Sequence, residues 1–369
     1  MSQLSIPAHL KDLTPEWLTE ALKGGGFIQN ASVTSINIKE IGAGTGLMSA
    51  IARIRLEYDK LEPNAPLSLI AKVQAEAPEN LMVALTFGFY KREVDFFRYA
   101  APISCLRTPL SYYLDIDDSG QNFVLLLEDL GESTVDQVKG APAEISYRAL
   151  MELAKFHAQF APKVQNNETD WLIDSASDDY VALNSGIYQA SLEPALNNFS
   201  SHFNPKTRKV AEDLYDKIPP LMQKRSKEGL TLIHGDYRLD NMFMGRLPPR
   251  KGFPESGLAV VDWQICCIAE CGFDLAYHMC SVDIDTRRKI EEQALKDYHK
   301  TLVEKGMEGY SFEYFKEQYR RYILFSLLYA ISVSGNLNLA NQRGVDLAKT
   351  FLDRTLVAIE DNNSGDLMP

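Results

Sequence analysis

Hydrophobic and polar residues alternate most cleanly in the first third of the chain. Ala52, Ile54, Leu56 and Tyr58 fall on one side of a segment whose other side carries Arg53, Arg55 and Glu57, the period-two signature of a half-buried strand. The same alternation separates Ser68, Ile70 and Lys72 from Leu69, Ala71 and Val73 in a strand over 67–74. Further strands are predicted over 33–41, 110–115 and 123–127, the last two joined by Asp117-Asp118-Ser119-Gly120. Gly42-Ala43-Gly44-Thr45-Gly46 turns the first strand into the second. Thr14 before Pro15 reads as a helix N-cap, with Gly24-Gly25-Gly26 as the stop. A helix opening at Pro78 and running to about Tyr99 carries Phe89, Glu93 and Phe96 on one face. The pattern predicts a small α+β lobe: a five-stranded antiparallel sheet with one inserted helix.

Beyond Glu128 the period changes to that of helices. Leu150, Leu153, Ala154, His157 and Ala158 form one apolar stripe in a helix over 143–160. Residues 165–204 are rich in Asn, Ser and Asp and read as irregular; 206–225 and most of 290–361 read as helix. Two short strands are expected at 241–245 and 258–262, flanking a Pro/Gly/Arg loop. A chain of 369 residues exceeds what one hydrophobic core usually serves, so two lobes are expected, 1–128 and a larger, mainly helical 129–369.

Composition narrows the function. A net charge of −12 leaves no broad basic face, which argues against nucleic acid or an anionic membrane as the main partner. No apolar run is long enough to span a bilayer, and the polar N-terminus lacks a signal-sequence pattern, so a cytoplasmic protein is expected. The odd count of five cysteines argues against a disulfide framework. Cys266, Cys267, Cys271 and Cys280 cluster, but without the paired C-x-x-C spacing of structural zinc sites, and read as buried thiols.

The stretch 232–245, LIHGDYRLDNMFMG, crowds His234, Asp236, Arg238, Asp240 and Asn241 between two apolar ends. Buried polar groups must satisfy one another or be satisfied by a ligand. Asp236 and Asn241 stand five apart across a loop, and the apolar run at 258–261 leads into a second carboxylate, Asp262. Two aspartates and an asparagine offer oxygen donors only, which suit a hard cation such as Mg²⁺. Phosphoryl transfer uses these parts: an Asp that takes the acceptor hydroxyl's proton, an Asn five residues on for metal, a further Asp on metal, and a strand lysine oriented by a helix glutamate. Lys72 and Glu93 occur in the right order for the last two roles, with Gly42, Gly44 and Gly46 over the phosphates.

On these residues the sequence resembles the aminoglycoside phosphotransferase and choline kinase-like family, which has the protein-kinase-like fold. The resemblance rests on His234-Gly235-Asp236 with Asn241, on 260–264 (VVDWQ), on 272–276 (GFDLA), and on 126–130 (LLEDL) as the interlobe hinge. LTPEWL at 13–18 is similar to the first helix of its ecdysteroid-kinase-like branch. The resemblance implies a bilobal α+β enzyme, with 1–128 the nucleotide-binding lobe and 129–369 the catalytic and substrate-binding lobe. It implies ATP and Mg²⁺ as cofactors, Asp236 as catalytic base, Asn241 and Asp262 as metal ligands, Lys72 on the phosphates held by Glu93, and the hinge at Glu128 to Leu130 on adenine. His234 and Asp274 are expected to tie down the catalytic loop. The sequence departs from protein kinases in having Gly235 before the catalytic Asp, and G-x-G-x-G followed by Leu47 in place of G-x-G-x-x-G.

The expected reaction transfers a phosphoryl group to a hydroxyl of a small molecule. The acceptor class stays open among amino alcohols, aminoglycosides, sugars and steroids: Asp174, Asp178 and Asp179 suit a cationic acceptor or equally a solvated acidic loop, whereas Tyr180, Tyr188 and Phe203 suit a larger apolar alcohol such as a steroid. A silent nucleotide-binding scaffold is the alternative; a protein kinase lacks support, since no Ala-Pro-Glu segment follows Asp262. His157 reads as a satisfied core histidine, and Arg246, Arg250 and Lys251 as a solvated hairpin. Arg238 and Asp240 are open between substrate contact and a local ion pair, and the sequence leaves the oligomeric state open.

Overall fold

Thr14 caps the first helix as its place before Pro15 predicts, its hydroxyl accepting from the Trp17 amide at 3.2 Å. The computed structural model describes residues 4–41, 48–132, 135–254 and 256–369. In chain order the elements are α1 (Pro15–Gly24), β1 (Val33–Glu40), β2 (Ser49–Tyr58), β3 (Ser68–Gln74), α2 (Pro78–Phe87), α3 (Phe89–Asp95), β4 (Ser111–Ile116) and β5 (Phe123–Glu128). Then come α4 (Ala143–Gln165), α5 (Asp178–Asn198), α6 (Pro205–Leu214), α7 (Ile218–Gln223), β6 (Leu230–Ile233), β7 (Met242–Arg246), β8 (Ser256–Val260) and β9 (Cys267–Glu270). Helices α8 (Gly272–Ser281), α9 (Ile284–Glu304), α10 (Phe312–Gly335) and α11 (Gln342–Asp361) complete the chain. It divides into two units, Met1–Glu132 with Arg246–Ile265, and Ser133–Gly245 with Cys266–Pro369.

The first unit is built on the five-stranded antiparallel sheet, in the order β1-β2-β3-β5-β4. Alternation decides its two faces. Ala52, Ile54, Leu69, Ala71, Val124 and Leu126 are buried with Leu18 and Leu22 of α1, each large side chain there contributing about 1.5–3 kcal/mol by leaving water. The opposite face of β3 is left to Lys72, which pairs in register with Ile51 and Leu125. The helix expected over 78–99 is not continuous. Gly88 breaks it at φ 64, a left-handed conformation that costs glycine little, and α3 restarts at Phe89, followed by a wide turn over Phe96–Ala100. The strand expected at 258–262 ends at Val260, so Asp262 stands beyond it with φ 67.

In the second unit β6 and β9 pair antiparallel, with buried Leu232 and Ile233 on the first. The largest departure from the sequence reading lies in 165–204, where α5 runs through 21 residues expected to be irregular. Its polar composition hides a buried side, with Val181, Tyr188, Leu192 and Ala195 out of water. Ser185 and Ser191 return their hydroxyls to the carbonyls one turn back, which hides their polarity inside the helix. Neither Asp178 nor Asp179 sits in a loop; both lie in the first turn of α5, where a helix favours negative charge. The clustered cysteines are buried free thiols, and burial pushes the Cys280 thiol up to about 11. No helix among the described residues is long and apolar enough to cross a membrane.

Helix α10 meets α5 closely at Gly335, where a Cβ would stand 2.2 Å from the Ser191 carbonyl oxygen. Gly335→Ala is therefore expected to lower stability by about 2 kcal/mol through overpacking, read from the urea midpoint; an unchanged midpoint would show that the two helices have slack.

Candidate active site

Strand β6 delivers His234 and Gly235 to the start of a loop whose main chain is held by one buried carboxylate. Asp274, in the first turn of α8, accepts from the His234 amide at 2.7 Å and the Gly235 amide at 2.8 Å. Its third partner is His157 Nε2 at 3.1 Å, and His157 Nδ1 lies 2.6 Å from the Tyr298 hydroxyl. Asp274, His157, His234 and Tyr298 are fully buried, so each polar group there must find a partner inside the protein. Gly235 takes φ 87, which a side chain would resist. Downstream, His234 Nδ1 accepts from the Asp236 amide at 3.1 Å, and Tyr237 donates its hydroxyl to the Ala149 carbonyl at 2.8 Å.

So fixed, the loop turns Asp236 and Asn241 toward each other. Asp236 Oδ2 accepts from Asn241 Nδ2 at 2.8 Å and from Arg238 Nε at 2.9 Å, while Oδ1 takes no donor within the loop. Asn241 Nδ2 also donates to the Asp236 carbonyl at 2.9 Å. Both amide hydrogens are thereby spent, and the side-chain carbonyl oxygen of Asn241 is the atom that can meet a cation. Arg238 is a local ion-pair partner of Asp236, with Asp240 at 3.7 Å from its Nη1. Asp240 caps another segment, accepting from the Gln137 amide at 2.8 Å and facing Arg343 at 3.4 Å.

The first unit carries the other group. Lys72 Nζ lies 2.7 Å from Glu93 of α3 and 3.2 Å from Asp262 Oδ1, and Lys72 and Glu93 are both buried. Burial works against the ammonium, but the Glu93 carboxylate and then Asp262 outweigh it and raise its pKa above the usual lysine range. The Trp263 amide donates to Glu93 as well, and the Trp263 ring stacks on Phe96 at 3.8 Å between centroids. These contacts hold Asp262 in its left-handed conformation, which costs a non-glycine residue on the order of 1 kcal/mol. Gln264 approaches Asp262 Oδ2 at 3.4 Å. The Asp262 carboxylate in the first unit, and the side-chain carbonyl oxygen of Asn241 in the second, are each oxygen donors of the kind a hard divalent cation takes.

At 126–130, Glu128 closes β5, its amide donating to the Leu110 carbonyl at 2.8 Å and its carboxylate accepting from Arg107 at 3.0 Å. Leu130 is buried. Gly42, Gly44 and Gly46 lie outside the described residues. Of the residues expected to meet an acceptor, Asp174 is taken up by a two-pronged ion pair with Arg225, and Tyr188 is a core residue bonded to the Ala211 carbonyl at 2.7 Å.

The model of the ecdysteroid kinase-like family matches residues 43–308, well over half of the chain. The chain belongs to that family. It is thus a small-molecule kinase, a phosphotransferase with an alcohol group as acceptor. No curated protein matches the sequence significantly. Among solved structures, choline kinase from Cryptosporidium parvum superposes with a TM-score of 0.54 at 12% identity, over 90% of this chain and 92% of that one. Amicoumacin kinase, in a complex with AMP-PNP, Ca²⁺ and Ami, gives 0.51 at 11% identity, over 88% of each chain. At such identities the likeness establishes the kinase-like fold.

Within this family member, sequence reasoning missed Tyr277, which lies beside Asp236. Burial first, and the Asp236 carboxylate second, push its hydroxyl well above the usual tyrosine range. Its signal was available: Tyr277 is three residues after Asp274, on the same side of α8. His157 was read as core, and it is, but it also supports Asp274. Arg343 gave no sequence signal, since it comes from α11, about a hundred residues from Asp240.

The same interior makes a pH prediction. Burial lowers His278 from 6.5 to about 4. Between those values the unfolded chain binds the extra proton, so this group's contribution to stability is intact above pH 6.5 and is lost as pH falls toward 4. Between pH 7.5 and 5.5 the loss from this residue is about 1 kcal/mol. Urea unfolding at the two pH values should show a smaller difference in His278→Asn than in the natural protein; equal differences would contradict it.

Proposed function

We propose that this kinase transfers the γ-phosphoryl group of ATP, with Mg²⁺, to a hydroxyl of a small molecule. The observation that carries the reading is the buried ammonium of Lys72 fixed between Glu93 and Asp262. A cation held there by two carboxylates is costly to bury and stabilises a fold little beyond what apolar packing would, but it matches the lysine that a phosphoryl-transfer enzyme sets on nucleotide phosphates. In this reading Lys72 binds the phosphates, Glu93 orients Lys72, and the hinge at Glu128 to Leu130 takes the adenine. Asn241 and Asp262 would hold Mg²⁺, which supplies positive charge to phosphate oxygens when bound. Gly42, Gly44 and Gly46 would cover the phosphates.

Asp236 orients the acceptor hydroxyl and takes its proton on Oδ1, the oxygen that Arg238 and Asn241 leave clear. Arg238 and Asn241 keep the carboxylate in one rotamer, so the base is in place before the acceptor arrives. Tyr277 borders the acceptor. Asp174 is paired with Arg225, and Asp178 and Asp179 lie in the first turn of α5, so the acidic residues first considered for a cationic acceptor have structural roles. The aromatic surroundings of Tyr277, which packs on Tyr329 and Phe351 at 5.9 and 4.9 Å between centroids, favour an alcohol with an apolar body.

The test is ATP consumption with product mass, run against amino alcohols, sugars, aminoglycosides and sterols. Lys72→Met is expected to cut turnover at saturating nucleotide by at least about a hundredfold, the scale of losing one preorganised charge at a transition state. Full turnover in Lys72→Met would remove the reading.

A further inference from the structure

Asp240 stands in the loop after β6 between two arginines, and only one of its oxygens is open to them. Oδ1 caps the Gln137 amide at 2.8 Å. Oδ2 faces Arg343 Nη2 at 3.4 Å and Arg238 Nη1 at 3.7 Å. Arg238 in turn donates through Nε to Asp236 Oδ2 at 2.9 Å, and Arg343 donates through Nη1 to Asp136 Oδ1 at 3.0 Å. Asp136, Arg343, Asp240, Arg238 and Asp236 thus form one file of alternating charge that ends on the proposed base. All five belong to the second unit.

Helix α11 anchors the outer end of the file. Arg343 lies in its first turn, and Arg354 follows three turns later on the same side. Arg354 is buried and donates to the Gln137 carbonyl at 2.8 Å and the Val138 carbonyl at 3.3 Å. Asp136 Oδ1 accepts from the Val138 amide at 2.9 Å. The segment that Asp240 caps is therefore held to the helix that carries Arg343. Phe351 of the same helix packs on Tyr277 at 4.9 Å between ring centroids.

Stability does not account for Arg343. Its side chain is 43% exposed and that of Asp136 31%, and ion pairs so open to water add little to folding. What the charge of Arg343 can decide is which carboxylate Arg238 serves. With Arg343 against Oδ2, Asp240 is matched from outside, and Arg238 gives its hydrogen bond to Asp236. Without Arg343, Arg238 is the cation left to Asp240 among the described residues, and its guanidinium is drawn away from Asp236. Asp236 Oδ2 would then keep only its bond from Asn241.

We infer that Arg343 is a positioning residue for phosphoryl transfer: by matching Asp240 it keeps Arg238 on Asp236 and the base in one rotamer. The inference rests on Asp236 as the base of the proposed reaction.

The direct readout is solvent exchange of the Arg238 Nε–H by NMR, with neither nucleotide nor acceptor present. Arg343→Gln is expected to speed exchange at least about threefold, the scale of coupling between neighbouring charges, with the urea midpoint unchanged. Adding Asp240→Asn removes the carboxylate that competes for Arg238 and keeps an oxygen for the Gln137 amide, so the double variant should return to the natural rate. Arg343→Lys should stay near it. In transfer to the panel alcohol that yields phosphorylated product, Arg343→Gln should lower kcat about tenfold with KM for ATP within about threefold, and the double variant should recover. Unchanged exchange in Arg343→Gln overturns the inference. So does a double variant no better than the single one, which would make Arg343 a plain structural or acceptor contact. If Asp236→Asn keeps full transfer, the proposed base is lost, while the exchange rates still decide whether Arg343 holds Arg238 in place.

Discussion

A charged or polar side chain taken out of water must be met by hydrogen bonds, and in this protein that requirement sets the position of the candidate catalytic groups. Asp274 is the clearest case. A carboxylate with no exposure collects donors wherever it can, and here two of them are the main-chain amides of His234 and Gly235. Main-chain donors bring main-chain geometry with them. The direction in which Asp236 leaves the loop therefore follows from a residue 38 positions later in the sequence, which is itself braced by His157 and Tyr298.

The first unit meets the same requirement with different parts. Lys72 lies on the face of β3 that the hydrophobic core does not use, so its ammonium has to be matched by whatever the following helix and the segment after β8 present. Gly88 matters here, because breaking the helix lets α3 begin afresh with Glu93 facing the strand. Replacing one partner of such a buried pair leaves an uncompensated charge, which costs about 3–5 kcal/mol. Under the proposed function, a chain that keeps Lys72, Glu93 and Asp262 together gives up stability for a charge held ready, as enzymes do at sites where charge has to be moved.

Much of this was legible in the sequence, for stated physical reasons. Period-two alternation is a direct consequence of strand geometry, and it assigned Lys72 to its face before any coordinates. The spacing of Asp236 and Asn241 carried the loop. What could not be read was whatever depends on a partner far along the chain. Helix α5 looked irregular because its serines and asparagine hide their polarity by bonding the turn before, and because its buried side matches a helix that comes more than a hundred residues later. Arg250 looked like a solvent-facing charge and Asp240 like a substrate contact or a local ion-pair partner; each is engaged by groups, Thr108 and Arg343 among them, that no local pattern connects to it. Asp262 was placed at a strand end, whereas its left-handed conformation puts it just beyond.

The account turns on Asp236 acting on the acceptor rather than on the nucleotide. The most direct measurement is nucleotide binding and phosphoryl transfer compared in Asp236→Asn, which keeps the shape of the side chain and removes its charge. Nucleotide affinity within about threefold of the natural protein, together with loss of product phosphate by at least about a hundredfold, is the predicted result. Transfer that persists in Asp236→Asn at the natural rate would contradict it.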